Sequence, residues 1–204
     1  MHKKIKLALL ASGKGSNVRA IVEAAKDPQF PAYPGVIICD QKSAPVLAFA
    51  KEKEIPYVFL PGQHFATKLE YDQMLLTLLK QYQIDLIILA GFMRILSPLL
   101  IEIFPKRILN IHPSLLPKYP GLNAVGKALQ AKDKESGCTV HYVDSGVDTG
   151  PVLEQVHVPI LKEDTLETLH ARIQVQEHLL YPKVIRKICE KLLAMPETKS
   201  KSMG

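Results

Sequence analysis

Asn110 and His112 stand two residues apart in Ile-Leu-Asn-Ile-His-Pro (108–113), where an apolar run meets a proline-punctuated loop ending at Gly121. In a strand such residues share a face, because side chains alternate with period two. An amide and an imidazole would then project together at a strand's carboxyl end, where open α/β sheets place ligands. An asparagine amide is uncharged at every pH and donates two hydrogen bonds, which suits an oxyanion in acyl transfer. A histidine exchanges protons near neutrality. A carboxylate beside it would fix the ring and favour its protonated form. Asp148, in Asp-Ser-Gly-Val-Asp-Thr-Gly (144–150), is the best candidate, since the flanking glycines let the backbone run close to a ligand. Asp144 is the rival, but it reads more as a turn residue. The plain alternative is that Asn110 and His112 are polar turn-formers and that Asp148 only makes a turn. Ser114 lacks the surroundings of a nucleophile elbow. Neither His-Glu-x-x-His nor a His/Cys cluster suggests a metal. If the pair is catalytic, the expected chemistry is direct transfer without a covalent enzyme intermediate and without a metal.

A second constellation lies in Ser12-Gly13-Lys14-Gly15-Ser16-Asn17, between a first strand and a first helix. Glycines there allow a tight turn, and the helix start offers free N–H groups and a positive dipole end. Together these suit an anion, most often phosphate. The stretch is neither the full dinucleotide fingerprint, since Val18 follows where a third glycine would stand, nor a P-loop. The competing reading is a ligand-free tight connection.

The elements that must position these residues follow from periodicity. Strands are expected at Ile5–Ala11, Val36–Cys39, Tyr57–Leu60, Asp85–Ala90 and Ile108–Ile111, then at Cys138–Val143 and Pro151–Ile160. Helices are expected at Val18–Lys26, from a Ser43 N-cap to about Lys53, at Ala66–Tyr82, from Ser97-Pro98 to about Ile103, at Asn123–Ala131, and from near Thr165. Leu69, Leu75, Leu76 and Leu79 would form the buried face of the third helix. Leu166, Leu169, Ile173, Leu180, Val184 and Ile188 would form that of the last, which Pro182 should kink or divide. His170, Gln174 and Glu177 make a separate polar stripe on it. The strand–helix alternation predicts an α/β fold: a Rossmann-like, open, mostly parallel twisted sheet with helices on both faces.

The chain has 204 residues, 47% hydrophobic and 23% charged, which fits one domain with a well-buried core. The net charge of +6 is weighted to the C-terminus, where Lys183, Arg186, Lys187, Lys191, Lys199 and Lys201 face only Glu190 and Glu197. A solvated helix face and a soluble tail account for this; an anionic partner is the alternative. Cys39, Cys138 and Cys189 are scattered, with no Cys-x-x-Cys, as expected in a reducing cytoplasm. The apolar run Leu7–Ala11 is too short for a signal peptide, and no segment reaches a membrane span.

Ala90–Ser97 (A-G-F-M-R-I-L-S), Asn110–Gly121 (N-I-H-P-S-L-L-P-K-Y-P-G), Asp148–Val152 (D-T-G-P-V), the first turn S-G-K-G-S-N and Gln174–His178 (Q-V-Q-E-H) occur in that order across almost the whole chain. Together they resemble phosphoribosylglycinamide formyltransferase, the folate-dependent transformylase of purine biosynthesis. The resemblance implies the formyltransferase fold. The amine of 5′-phosphoribosylglycinamide would attack the formyl carbon of 10-formyltetrahydrofolate, and the tetrahedral intermediate would collapse to release tetrahydrofolate. Asn110 would bind the oxyanion; His112, protonated, would stabilise it and relay protons; Asp148 would pair with His112 and organise a water. Gly15, Ser16 and Asn17 match the phosphate cradle, and Gln174 and Glu177 match contacts to the amine substrate. Met93, Arg94, Ile95 and Leu96 match the folate pocket, where backbone groups read the pterin-like ring; Asn110 and the Val143–Asp148 loop complete it. Val125 stands where relatives commonly carry His, which affects local contacts rather than the reaction.

On this reading residues 1–192 form a single domain, with a phosphate-binding half to about residue 100 and a folate and catalytic half at 101–192; residues 193–204 form a disordered tail. A cytoplasmic monomer or homodimer is expected, with no nucleic acid and no membrane partner. The alternatives are a formyltetrahydrofolate deformylase, which usually carries an N-terminal regulatory domain, and methionyl-tRNA formyltransferase, which needs a further C-terminal domain. A non-catalytic folate- or nucleotide-binding module on the same fold is a third.

Overall fold

A computed structural model describes residues 3–195 of the chain. Seven strands form one sheet in the order β3-β2-β1-β4-β5-β6-β7. They are β1 (Ile5–Ala11), β2 (Ala32–Cys39), β3 (Tyr57–Phe59), β4 (Leu86–Leu89), β5 (Ile108–His112), β6 (Glu135–Tyr142) and β7 (Val152–Pro159). The first five are parallel, and β6 and β7 are antiparallel additions at one edge. The sheet is thus mixed and mostly parallel, as the alternation implied. The strand order reverses between β1 and β4, so the loops leaving their carboxyl ends diverge and open a crevice there.

The helices are α1 (Ser16–Ala24), α2 (Pro45–Glu52), α3 (Lys68–Gln81), α4 (Pro98–Ile103), α5 (Ala124–Gln130) and α6 (Leu166–Ala194). Alternate residues of β1 face opposite cores. Leu7, Leu9 and Ala11 pack with α1, α2, α5 and α6, while Ala8 and Leu10 pack with α3 and α4. A strand covered on both faces needs apolar residues at every position, hence the unbroken apolar run Leu7–Ala11 after Lys6 at its open end.

Several expectations need correction. β2 begins at Ala32 rather than Val36, because a bulge absorbs Gly35: Leu7 pairs with Pro34 and Ala8 with Val36. The N-cap of α2 is Ala44, not Ser43. Leu69 and Leu166 are exposed, whereas Tyr71 and Asp72 are buried on α3. Pro182 does not divide α6, which runs as one helix of 29 residues and takes in Leu193 and Ala194. The expected tail beyond residue 195 lies outside the described residues. Basic groups on α6 are engaged within the fold: Lys183 and Lys187 meet Glu154, and Arg186 meets Asp27.

Tertiary contacts hold the helix through the proline. Pro182 is buried, and the fully buried neighbouring Tyr181 places its hydroxyl 3.0 Å from the carbonyl oxygens of both Leu89 and Leu109. That hydroxyl ties α6 to β4 and β5 one residue before Ala90 and Asn110. Tyr181→Phe is expected to lower stability by about 1–2 kcal/mol, read as a lower urea midpoint with an unchanged slope. An unchanged midpoint would show that the bridge contributes nothing.

Candidate active site

A single cleft of about 930 Å³ lies at the carboxyl ends of β1, β4 and β5. Every site residue expected from the sequence lines it: Gly15, Ser16, Asn17, Met93, Arg94, Ile95, Leu96, Asn110, His112, Val143, Asp148, Gln174 and Glu177. Val125 also lines it, and is otherwise packed into the core.

At one end is the turn before α1. Gly15 has φ +69°, and a Cβ there would lie 2.4 Å from Cγ2 of Val46, so both the backbone and the packing of α2 require glycine. Ser16 Oγ accepts a hydrogen bond from Gln174 Nε2 at 3.0 Å, and Asn17 Nδ2 donates to Glu177 Oε2 at 2.8 Å. The first turn and the polar stripe of α6 therefore build one structure. Burial raises the Glu177 carboxyl above its ordinary value, and the Asn17 hydrogen bond opposes this.

At the centre, Asn110 and His112 share the face of β5 that also carries Ile108, and Asp148 reaches both. Asp148 Oδ2 accepts from the Gly121 N–H at 2.8 Å and lies 3.1 Å from His112 Nδ1. Asp148 Oδ1 accepts from Asn110 Nδ2 at 3.2 Å. The backbone of Asp148 is left-handed, with φ 54°, a conformation aspartate tolerates better than most residues. Asp144 is the turn residue it resembled: its Oδ1 accepts from the Gly146 N–H and the Thr149 hydroxyl. Burial alone would raise the Asp148 carboxyl. Hydrogen bonding with His141, the Gly121 N–H and the charges of His112 and His141 outweigh it and hold the group at about 2.

His112 Nε2 lies 2.9 Å from the Tyr119 carbonyl oxygen and so carries a proton there. Both ring nitrogens face acceptors, an arrangement only the imidazolium satisfies. Burial nevertheless pulls His112 below its ordinary value. His141 and Lys127 add to this; the Tyr119 carbonyl and Asp148 oppose it without cancelling it. The expectation that a carboxylate would favour the protonated ring is correct for Asp148 alone, and burial overrides it.

His141 is the residue that sequence reasoning missed. It is buried on β6 directly opposite Asn110. Its Nδ1 donates to the Tyr142 carbonyl at 2.8 Å, which leaves Nε2 facing the cluster, 3.2 Å from Asn110 Nδ2 and 3.5 Å from Asp148 Oδ1. The signal was available in Cys138-Thr139-Val140-His141-Tyr142, where two polar residues alternate on one strand face; the pairing with β5 was not.

Met93 and Ile95 are exposed in the loop after β4, while Phe92 and Leu96 are buried beneath it. Arg94 lines the cleft, yet its guanidinium lies over the Tyr71 ring, 4.2 Å from the centroid. Among the described residues no group of three or more His, Cys, Asp or Glu side chains could hold a metal, and no helix is long and apolar enough to cross a membrane.

The Formyl transferase family profile matches residues 5–185. Phosphoribosylglycinamide formyltransferase from Bacillus subtilis is 41% identical over 183 residues, covering 90% of this chain and 94% of the relative. The Haemophilus influenzae protein of that name is also 41% identical, covering 94% of this chain and 91% of its own. The crystal structure of glycinamide ribonucleotide transformylase 1 from Symbiobacterium toebii superposes with a TM-score of 0.90 at 39% identity, covering 92% of this chain and 89% of that one. The chain belongs to the formyl transferase family and, within it, to the phosphoribosylglycinamide formyltransferases of purine biosynthesis.

The electrostatics give a signed expectation. A carboxylate held at about 2 contributes stability above its ordinary value of 3.8 and loses that contribution as pH falls through about 2. The lowered His112 acts in the same direction over a higher window: between its folded and ordinary values the unfolded chain binds the proton and the fold does not. Asp148→Asn, which keeps the left-handed backbone accessible, should therefore cost most near neutrality. In urea titrations its gap to wild type should narrow between about pH 4 and pH 2; a constant gap would mean the ionised carboxylate is not what stabilises the site.

Proposed function

We propose that this chain transfers the formyl group of 10-formyltetrahydrofolate to the amine of 5′-phosphoribosylglycinamide by direct attack. The observation that carries this reading is the Asp148 carboxylate, which gathers Asn110 and His112 at the centre of a cleft. The end of that cleft is a glycine-turned helix start suited to phosphate. Gly15, Ser16 and Asn17 take the phosphate, and Gln174 and Glu177 meet the rest of the amine substrate. Met93, Arg94, Ile95, Leu96 and Val143 hold the folate. Residues 1–192 act as one unit: the phosphate turn lies before about residue 100 and Asn110, His112 and Asp148 beyond it, but Met93–Leu96 and Gln174 and Glu177 cross that division, each completing the opposite half.

Attack of the amine forms a C–N bond and moves the carbonyl electrons onto oxygen. Asn110 serves that oxyanion. In the free protein one of its N–H groups is spent on His141, a 3.2 Å bond that a charged acceptor outcompetes. The developing negative charge also counteracts burial at His112. The ring then takes up the proton shed by the attacking nitrogen, becomes the imidazolium that Asp148 and Tyr119 favour, and gives the proton to the folate nitrogen as the oxyanion electrons re-form the carbonyl and the C–N bond to the folate breaks. The proton thus arrives with the reaction, where the resemblance implied a ring already protonated. Asp148 remains ionised throughout and holds the relay in line.

A deformylase would use the same chemistry with water as acceptor. The built link between the first turn and α6, through Ser16–Gln174 and Asn17–Glu177, favours a phosphate-bearing amine. Steady-state release of tetrahydrofolate should require 5′-phosphoribosylglycinamide; equal release without it would establish the hydrolase. His112→Ala should abolish turnover with folate binding nearly intact, and unchanged binding alongside an unchanged rate would remove His112 from the mechanism. Asp148→Asn should lower kcat by roughly 100-fold or more. Losing the carboxylate should also move the acid limb of kcat/KM to lower pH, because Asp148 raises His112; a wild-type limb would refute the pairing.

A further inference from the structure

The loop that carries Met93–Leu96 follows Gly91, which has φ +78° and open space around it. A loop of this kind holds a ligand well only if something fixes its shape. At its start, the Met93 N–H donates to Ser12 Oγ at 2.9 Å, tying it to the end of β1. At its end, the Ser97 N–H donates to the buried carboxylate of Asp72. Between them, Arg94 turns its guanidinium away from the exposed side chains of Met93 and Ile95 and over the ring of Tyr71, itself 1% exposed. The guanidinium also meets the 3-10 turn Gly62–His64, where a Cβ on Gly62 would lie 1.9 Å from Arg94 Nη1. The Tyr71 ring is held in turn by Phe65, edge-on at 5.4 Å and 86°. Among the described residues Arg94 Nε and the Tyr71 hydroxyl have no hydrogen-bond partner, which leaves the ring face and the Gly62 turn as the contacts that seat the guanidinium.

We propose that Gly62, Tyr71 and Asp72, none of which lines the cleft, are positioning residues that fix the 92–97 wall and so set affinity for the folate donor without touching it. This rests on the reading of Met93–Leu96 as the folate wall. The clamp lies on the face of the sheet with α3, whereas the phosphate cradle is built with α1 and α6 on the other. The two substrates are therefore positioned by different parts of the fold. Disturbing the clamp should weaken binding of the donor and spare that of the amine.

Gly62→Ala is the informative variant: Gly62 is not in the core, and the added methyl meets only the flexible end of Arg94. Arg94→Met removes the charge while keeping the stem; because Arg94 itself lines the cleft, it is read by hydrogen exchange alone. Gly62→Ala is expected to raise the KM for 10-formyltetrahydrofolate and the Kd for tetrahydrofolate, by titration calorimetry, about tenfold. The kcat and the KM for 5′-phosphoribosylglycinamide should stay within about twofold. Amide hydrogen exchange of residues 92–97 should quicken in both. Tyr71→Phe keeps the ring and discards an unpartnered hydroxyl, so it should retain the wild-type donor KM; Tyr71→Leu should not. Unchanged exchange in both Gly62→Ala and Arg94→Met would overturn the clamp whatever the kinetics. Faster exchange with neither substrate affected would overturn the folate-wall reading and the proposal with it. An equal rise in both KM values would overturn the division of labour.

Discussion

One ionised carboxylate holds the Asn110–His112 end of the cleft together. Asp148 receives a backbone N–H from Gly121 and a side-chain amide from Asn110, and it faces two imidazoles. These partners come from β5, β6 and the loop after Pro120. A charge in so enclosed a place is stable only when hydrogen bonds and neighbouring cations outweigh its lost hydration. The partners therefore depend on the charge as much as it depends on them. The same enclosure works against a second charge on His112. The site thus keeps one fixed negative group beside an imidazole that burial makes reluctant to ionise.

The sheet explains why this charge stands where it does. Asn110 and His112 occupy alternate positions at the last residues of β5, beside the point where strand order reverses. β6 runs antiparallel to β5 and sets His141 and Thr139 directly opposite them. Thr139 bonds the Ser114 carbonyl and the Leu116 N–H, which fixes the start of the loop that brings Tyr119 and Gly121 back over the site. An antiparallel edge on a parallel sheet is in this case the means of supplying the outer half of the cluster.

Asn110, His112 and Asp148 were legible because each sits at a break in pattern: a polar pair ending an apolar strand, and an aspartate among glycines. The order of elements was legible because alternation of strand and helix leaves few topologies. What could not be read depends on contacts distant in sequence. Pro34 and Gly35 look like a turn, but a bulge against β1 keeps them within β2. Pro182 looks like a stop, but burial around Tyr181 carries α6 through it. Nothing local to Met93–Leu96 says where the Arg94 side chain goes, and only the placement of α3 reveals the ring beneath it. His141 pairs with Asn110 across a strand alignment that no local pattern specifies.

Helix α6 joins the two ends of the cleft mechanically. Gln174 and Glu177 are bonded to Ser16 and Asn17 at the first turn, while Tyr181 is fastened to β4 and β5 beside Asn110. A helix rises about 1.5 Å per residue, so seven residues span roughly 10 Å of stiff rod. α6 thus serves as a ruler between the turn at Gly15 and the end of β5 at Asn110, its zero mark at Tyr181. Change of residue type along the ruler is tolerable, but change of length is not. One residue inserted between Glu177 and Tyr181 would turn the upper part by about 100° and carry both polar side chains off the cleft. The spacing between these positions is therefore a tighter constraint than the identity of most residues within it.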